Sequence, residues 1–246
     1  MMKNFKLKIE YDGTLYHGWQ KQKNDRTIQG EIEKGLMTMT GQKIKLAGSG
    51  RTDAGVHSFG QIANFHCETN IDSKSFMKGI NSLTSDDIVI KKCDQVDENF
   101  HARYDAKSKI YRYVFLNRRQ PSALFRNYAW HIPYKLDIDA MRMALDCITG
   151  IHDFKAFQGK TDLEKDAVRT VYNASLEKKN KGYLFFEIEA SGFLRYMVRN
   201  ITGTLGDVGL RKKTPDDFKK ILLSKNRNKA GATATAKGLF LIKVKY

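Results

Sequence analysis

Phe5, Leu7, Ile9 and Tyr11 alternate with Lys6, Lys8 and Glu10. A period of two predicts a strand with one wet face. Asp12-Gly13 breaks it, and a polar loop carrying His17, Trp19 and several basic residues runs to Thr27, a helix-capping residue type. Ile28, Ile32, Leu36 and Met39 then recur at helical spacing, and Gly41 closes that helix. Residues 44–46 alternate as a short strand, 48–57 form a loop, and 61–67 read as a second strand. A short helix follows over 73–82, and Ile88-Val89-Ile90 opens a further strand. The order β-α-β-β-α-β is that of a ferredoxin-like split unit.

The second half repeats the pattern. Residues 110–116 predict a strand with Tyr111, Tyr113 and Phe115 on one face, and 128–132 a short strand ended by Pro133. Asp137 caps a helix whose stripe is Ile138, Met141, Leu145 and Ile148, with Gly150 after it. A long loop of mixed charge covers 151–166. Runs 169–176 and 182–188 flank Asn180-Lys181-Gly182 as a hairpin. A helix is predicted over 193–208, another opens at Thr214-Pro215, and 239–246 alternate as a closing strand. The expected fold is α+β: two ferredoxin-like (RRM-like) halves, residues 1–104 and 105–246, with mainly antiparallel sheets joined around a central cleft. The halves share element order only; no residue-level repeat links them.

Charge sharpens this picture. The 246 residues carry 43 Lys+Arg against 27 Asp+Glu, a formal net charge of +16. The excess is spread along the chain, with dense patches at 107–119, 178–181 and 211–213. One patch alone is a solvated face; the total points to a polyanionic partner. No apolar run approaches the ~20 residues a membrane span needs, and the N-terminal MMKNFKLKIE has no apolar signal region. Cys67, Cys93 and Cys147 are odd in number and lack metal-ligand spacing, so free thiols in a reducing, cytoplasmic compartment are expected. No metal site is expected either: Asp53, His57 and His66 have no supporting cluster.

The richest chemistry lies in GSGRTDAGVH, residues 48–57. Gly48, Gly50 and Gly55 sit among Ser49, Thr52 and Asp53, which reads as a tight loop leaving a sheet edge. Asp53 is its one carboxylate, with Arg51 two positions before and His57 four after. On residues alone, two readings stand. One is an ordinary turn in which Asp53 bonds its own backbone; the other is a site offering an acid and a base. A nucleotide-phosphate loop is disfavoured, because the G-x-x-x-x-G-K-[ST] spacing is missing and a strand follows. Tyr111 reads as half-buried core or as a platform for a base. Phe193, Met197, Ile201 and Leu205 form a helical stripe that leaves Arg195 and Arg199 on a solvated face. His17, Trp19, Phe100 and His101 read as packing and loop anchors.

GSGRTDAGVH is not alone. YDGTLYHGWQKQ at 11–22, RTIQG at 26–30, FHAR at 100–103, YRY at 111–113, GFLRYMVRN at 192–200 and AGATATAKGLFL at 230–241 follow in order. Together these resemble the tRNA pseudouridine synthases that act on positions 38, 39 and 40 of the anticodon stem-loop. The resemblance implies cleavage of the bond from ribose C1′ to uracil N1 and rejoining at C5, with no cofactor and no metal. It implies Asp53 as the essential acid, acting as nucleophile at C1′ or C6 or as base at C2′. It places Tyr111 against the target uracil, its hydroxyl a candidate to remove the C5 proton. It pairs Arg199 with Asp53, and Arg51 is expected to help hold the flipped nucleotide. It also implies a homodimer. Two departures stand near the end: Asn226-Arg227 where Asp-Arg is common, and Thr235 where Pro is common. The rival reading is a non-catalytic RNA-binding module of ferredoxin-like fold, which has no need of an acid among phosphates. A metal-dependent nuclease would need clustered carboxylates, which the sequence lacks.

Overall fold

The computed structural model describes residues 2–159 and 166–246. The chain divides into two compact units, one formed by the chain up to Lys107 together with Phe240–Tyr246, the other by Ser108–Leu239.

The first unit contains β1 (Met2–Tyr11), α1 (Ile28–Thr40), β2 (Ala47–Gly48), β3 (His57–Glu68), α2 (Ser73–Leu83) and β4 (Ile88–Val96). β1 lies antiparallel between β3 and β4, and β2 pairs the far side of β3. The spatial order β4-β1-β3-β2 is the ferredoxin-like one. The alternation of β1 is what builds the core. Phe5, Leu7, Ile9 and Tyr11 are buried in one cluster with Ile28, Ile32 and Leu36 of α1 and Phe76 and Ile80 of α2. The capping chemistry also holds: Thr27 accepts from the Gly30 amide, Asp72 from the Ser75 amide, and Gly41 ends α1 in the left-handed region.

Two strand limits differ from the sequence expectation, for identifiable reasons. Ile44 and Leu46 are buried, yet 44–46 is not a strand. The Leu46 amide donates to Glu33 Oε1 at 3.1 Å and its carbonyl accepts from Gln29 Nε2 at 3.0 Å, so α1 side chains take the groups a strand would use. Pairing begins one residue later. β3 starts at His57 rather than 61, and it carries a bulge. The pairs Ile9–Gln61 and Tyr11–Ser58 leave Phe59 and Gly60 together opposite Glu10. Ser58 Oγ accepts from the amides of Gly60 (3.1 Å) and Gln61 (2.8 Å), which replaces the ladder bonds lost there.

The second unit contains β5 (Ser108–Asn117), β6 (Trp130–Ile132), α3 (Ile138–Asp146), β7 (Gly150–Asp153), β8 (Val168–Lys178), β9 (Tyr183–Ala190), α4 (Met197–Gly209) and α5 (Pro215–Ser224). β5, β9, β8 and β7 pair antiparallel in that order, and β6 runs parallel to β5. β8 and β9 form the expected hairpin, closed by the turn Asn180–Gly182. Asp137 caps α3, and Thr214 with Asp217 forms a capping box ahead of Pro215 on α5. α4 starts at Met197, four residues later than its pattern suggests. Tyr196 sits at φ 61°, in the left-handed region, so Phe193 and Arg195 precede the helix. Within the loop expected over 151–166, residues 151–153 belong to β7, Lys155–Phe157 form a short 3-10 turn, and residues 160–165 lie outside the described residues.

The last strand, β10 (Leu239–Lys245), pairs parallel with β3 through Phe240–His57 and Leu241–Ser58. Further bonds hold the final residues to the first unit. Lys107 N donates to Lys245 O at 2.9 Å, and Tyr246 Oη donates to Ala102 O at 2.7 Å. The division between units thus falls after Lys107, with the chain's end counted in the first unit.

Candidate active site

The loop 48–57 hangs between β2 and β3, and neighbouring segments fix it at every step. At its start, the Ser49 amide donates to Ile62 O (2.7 Å) and its hydroxyl to Gln61 Oε1 (2.6 Å), while Gln61 Nε2 donates to Gly50 O (2.9 Å). In its middle, Thr52 Oγ1 lies 2.8 Å from Tyr11 Oη, and the Trp19 amide donates to Thr52 O at 3.1 Å. Burial pushes the Tyr11 phenol's pKa well up, so it stays a neutral hydrogen-bonding group at the end of β1. Beyond Asp53, the Gly55 amide donates to Tyr16 O (3.3 Å) and the Val56 amide to Asp53 O (3.2 Å). At its end, buried His57 accepts the Gly13 amide at Nδ1 (3.1 Å), and that nitrogen lies 3.0 Å from Asp12 Oδ1.

Residues 12–19 therefore form a floor under the loop, and glycine makes the contact possible. Gly18 has φ +90°, and a Cβ there would lie 2.5 Å from Thr52 O and 3.1 Å from Asp53 C. Gly48 lies against the Trp19 ring, where a Cβ would come within 2.5 Å of Nε1. The outcome is a half-buried Asp53 and an exposed Arg51 on a backbone with little room to shift. The turn at 53–56 closes through the Asp53 carbonyl. Trp19 packs as expected and is 2% exposed. Phe100 and His101 anchor their loop: Phe100 packs on Tyr246 with ring centroids 5.1 Å apart, and His101 Nδ1 accepts the Arg103 amide at 3.1 Å. Sequence reasoning passed over Tyr11, Tyr16 and Gly18 as parts of this scaffold. A glycine between His17 and Trp19, in a segment already marked by its motif, was the available signal.

The second unit carries the other two candidates. Tyr111 lies on β5, buried, and meets Phe193 edge to face at 5.0 Å and 81°. Arg112 alternates to the other face, where Nε and Nη2 both donate to Glu187 Oε2 at 3.0 and 2.8 Å. Arg199 is not on a solvated face. Every residue of α4 except Arg199 and Asp207 is buried: the segment 230–235 lies against Gly203, while Trp130 covers Gly206 and Met141 and Leu136 cover Gly209. Arg199 Nε donates to Ala234 O at 2.8 Å, and the Ala234 amide returns a 3.0 Å bond to Arg199 O. Its guanidinium also stands 5.0 Å from the Tyr196 ring centre. Asn200 and Arg227 clamp the same segment: Thr233 Oγ1 and Arg227 Nη2 both donate to Asn200 Oδ1, at 2.6 and 2.9 Å.

The two sequence departures fit locally. Asn226 accepts the Asn228 amide at 3.0 Å and so caps its short turn. Thr235 gives its carbonyl to Tyr113 Oη at 2.8 Å, an acceptor that a proline would keep. Among the described residues, Cys67, Cys93 and Cys147 are free, and burial pushes the Cys93 thiol up to about 12. Also among the described residues, no group of three or more His, Cys, Asp or Glu side chains is arranged to hold a metal ion, and no helix is long and apolar enough to cross a membrane.

Fold and loop define an α+β protein that presents one acid from the edge of a ferredoxin-like sheet, on a strongly basic chain. Residues 8–105 and 144–246 match the family described as tRNA pseudouridine synthase, and the chain belongs to that family. It is 48% identical over 245 residues to tRNA pseudouridine synthase A of Acetivibrio thermocellus, covering 100% of both chains. It is 46% identical over 246 residues to tRNA pseudouridine synthase A of Clostridium acetobutylicum, again covering 100% of both. Among solved structures, it is similar to a chain of an archaeal box H/ACA Nop10-Cbf5 complex with TM-score 0.32 and 10% identity, covering 83% of this chain and 42% of that one. Arg51, Asp53 and Arg199 fall inside the family-matched stretches, and Tyr111 falls between them.

Proposed function

We propose that this chain converts uridine to pseudouridine at positions 38, 39 and 40 in the anticodon stem-loop of tRNA, in the cytoplasm and as a homodimer. The observation that carries the reading is Asp53, half-buried in a loop whose neighbours are bonded on both sides, within a full-length likeness to tRNA pseudouridine synthases. A protein that only binds RNA gains nothing from fixing a loop that carries a carboxylate there, since phosphates repel it.

In the proposed reaction the C1′–N1 bond breaks, the uracil turns, and C1′ bonds to C5 while the C5 proton leaves and N1, freed of the ribose, takes up a proton. Substrate and product are isomers, so the balance requires no oxidant, reductant or co-substrate. Asp53 serves as the essential carboxylate, whether as nucleophile at C1′ or C6 or as base at C2′. Arg199 is the cation that the family resemblance assigns to it. Arg51, exposed beside the acid, contacts phosphates of the extruded nucleotide; extrusion costs about a few kcal/mol, which such contacts offset. Tyr111 contacts the target uracil, and its hydroxyl takes the C5 proton.

Unmodified tRNA transcript carrying tritium at uracil C5 tests this. Isomerisation releases tritium to water on adding the protein. Tight binding without release would contradict the reading and favour the non-catalytic RNA-binding module. Tyr111→Phe keeps the ring and its contact with Phe193, so RNA affinity should stay and turnover should fall by about 100-fold or more, as when a general base is lost. Wild-type turnover in this variant would remove Tyr111 as the base.

A further inference from the structure

We propose that Phe59 is a stacking platform for a base of the substrate RNA close to the reacting nucleotide; the inference rests on the proposed action on RNA. β3 is buried along most of its length, and Phe59 breaks that pattern at 50% exposed. The bulge explains how. Ser58 stands opposite Tyr11 and is buried, while Phe59 and Gly60 oppose Glu10; Gly60 is buried against Ile242 of β10, and Phe59 takes the solvent side.

Phe59 does not lie loose on that side. Its ring stacks on Phe240 at 5.5 Å and 17°, and Phe240 stacks on His57 at 4.7 Å and 24°. The three rings form a column from the buried end of the Asp53 loop outward. His57 is 2% exposed and Phe240 8%, so Phe59 alone meets solvent. A scattered surface apolar residue needs no explanation. A planar ring fixed in a stack differs: its orientation is already set, so a second planar ring can add to the column at small entropic cost.

The surroundings suit a nucleic acid. Lys243 is exposed on β10, its Cα 3.7 Å from where a Gly60 Cβ would stand, and Arg51 is exposed in the adjoining loop. On a chain of net charge +16, an exposed flat ring fits a base with its phosphate. Stacking tolerates every base, so Phe59 would serve flanking nucleotides without fixing their identity.

Phe59→Leu keeps an apolar cover over Phe240 and removes the flat face. Its melting temperature and kcat at saturating RNA should match wild type, while KM and the Kd for anticodon stem-loop RNA rise by about 5- to 100-fold, the range for losing one aromatic stack. In Phe59→Trp the added indole fluorescence, read as the difference from wild type with its Trp19 and Trp130, should be quenched by that RNA. Unchanged KM and Kd in Phe59→Leu, with wild type turning over, would overturn this inference alone. So would a change of oligomeric state with RNA affinity intact, which would assign the ring to a second copy. A wild type that neither binds nor modifies the RNA overturns the inference together with the proposed function.

Discussion

Asp53→Asn should give a folded protein that binds tRNA and makes almost no pseudouridine. The change keeps the side chain's shape and removes the anion. The loop's described bonds run through Ser49, Gln61, Thr52, Tyr11, His57 and backbone groups, so its conformation should survive. Single-turnover rates on tRNA transcript should fall by about 10,000-fold or more, the scale seen when a residue of the reacting set is removed. Thermal melting and RNA affinity should stay near wild type. A variant with rates near wild type would mean that the chemistry uses another group.

Gly18→Ala should show that the floor under the loop matters to turnover. Two positions separate strain from contact. Gly41 has φ +70°, and among the described residues a Cβ there would meet nothing within 4 Å beyond its own chain neighbours; Gly18 has φ +90°, and a Cβ there would lie 2.5 Å from Thr52 O. Gly41→Ala should therefore cost only the left-handed penalty of about 1–2 kcal/mol, with turnover unchanged. Gly18→Ala adds overpacking against backbone, for a total of about 2–5 kcal/mol. The Thr52–Asp53 backbone must shift to admit the methyl, and a displacement near 1 Å at a reacting group can cost about 100-fold in rate. Denaturant unfolding and kcat for the two variants check this. Equal effects from both would leave the Gly18 contact without consequence for the site.

Elements whose signal is local were legible. The alternation of β1, the caps at Thr27, Asp137 and Thr214, and the turn at Asn180–Gly182 each depend on a few neighbouring residues. What escaped depends on partners distant in sequence or on backbone geometry that residue types alone do not announce. Leu46 is held out of a strand by Glu33 and Gln29. The Phe59–Gly60 bulge relies on one hydroxyl, Ser58, accepting two amides. Tyr196 in the left-handed region delays α4, which no helical wheel can show.

The candidate site follows the same division. Arg51 and Asp53 sit in one contiguous motif, so the sequence already places them together on one loop. Arg199 read as solvated because a wheel sees one helix and misses the segment 230–235 laid against it. Tyr11 and Gly18 carry no chemistry themselves; their part appears only when their contacts with Thr52 are known.

The most direct test maps the product. Unmodified tRNA transcript is incubated with wild type or Asp53→Ala, treated with a carbodiimide that marks pseudouridine, and read by primer extension. Wild type should give stops at positions 38, 39 and 40 where the transcript carries uridine, and Asp53→Ala should give none. Equal stops with both proteins, or none with a wild type that binds the RNA, would contradict the central claim that the Asp53 carboxylate isomerises uridine.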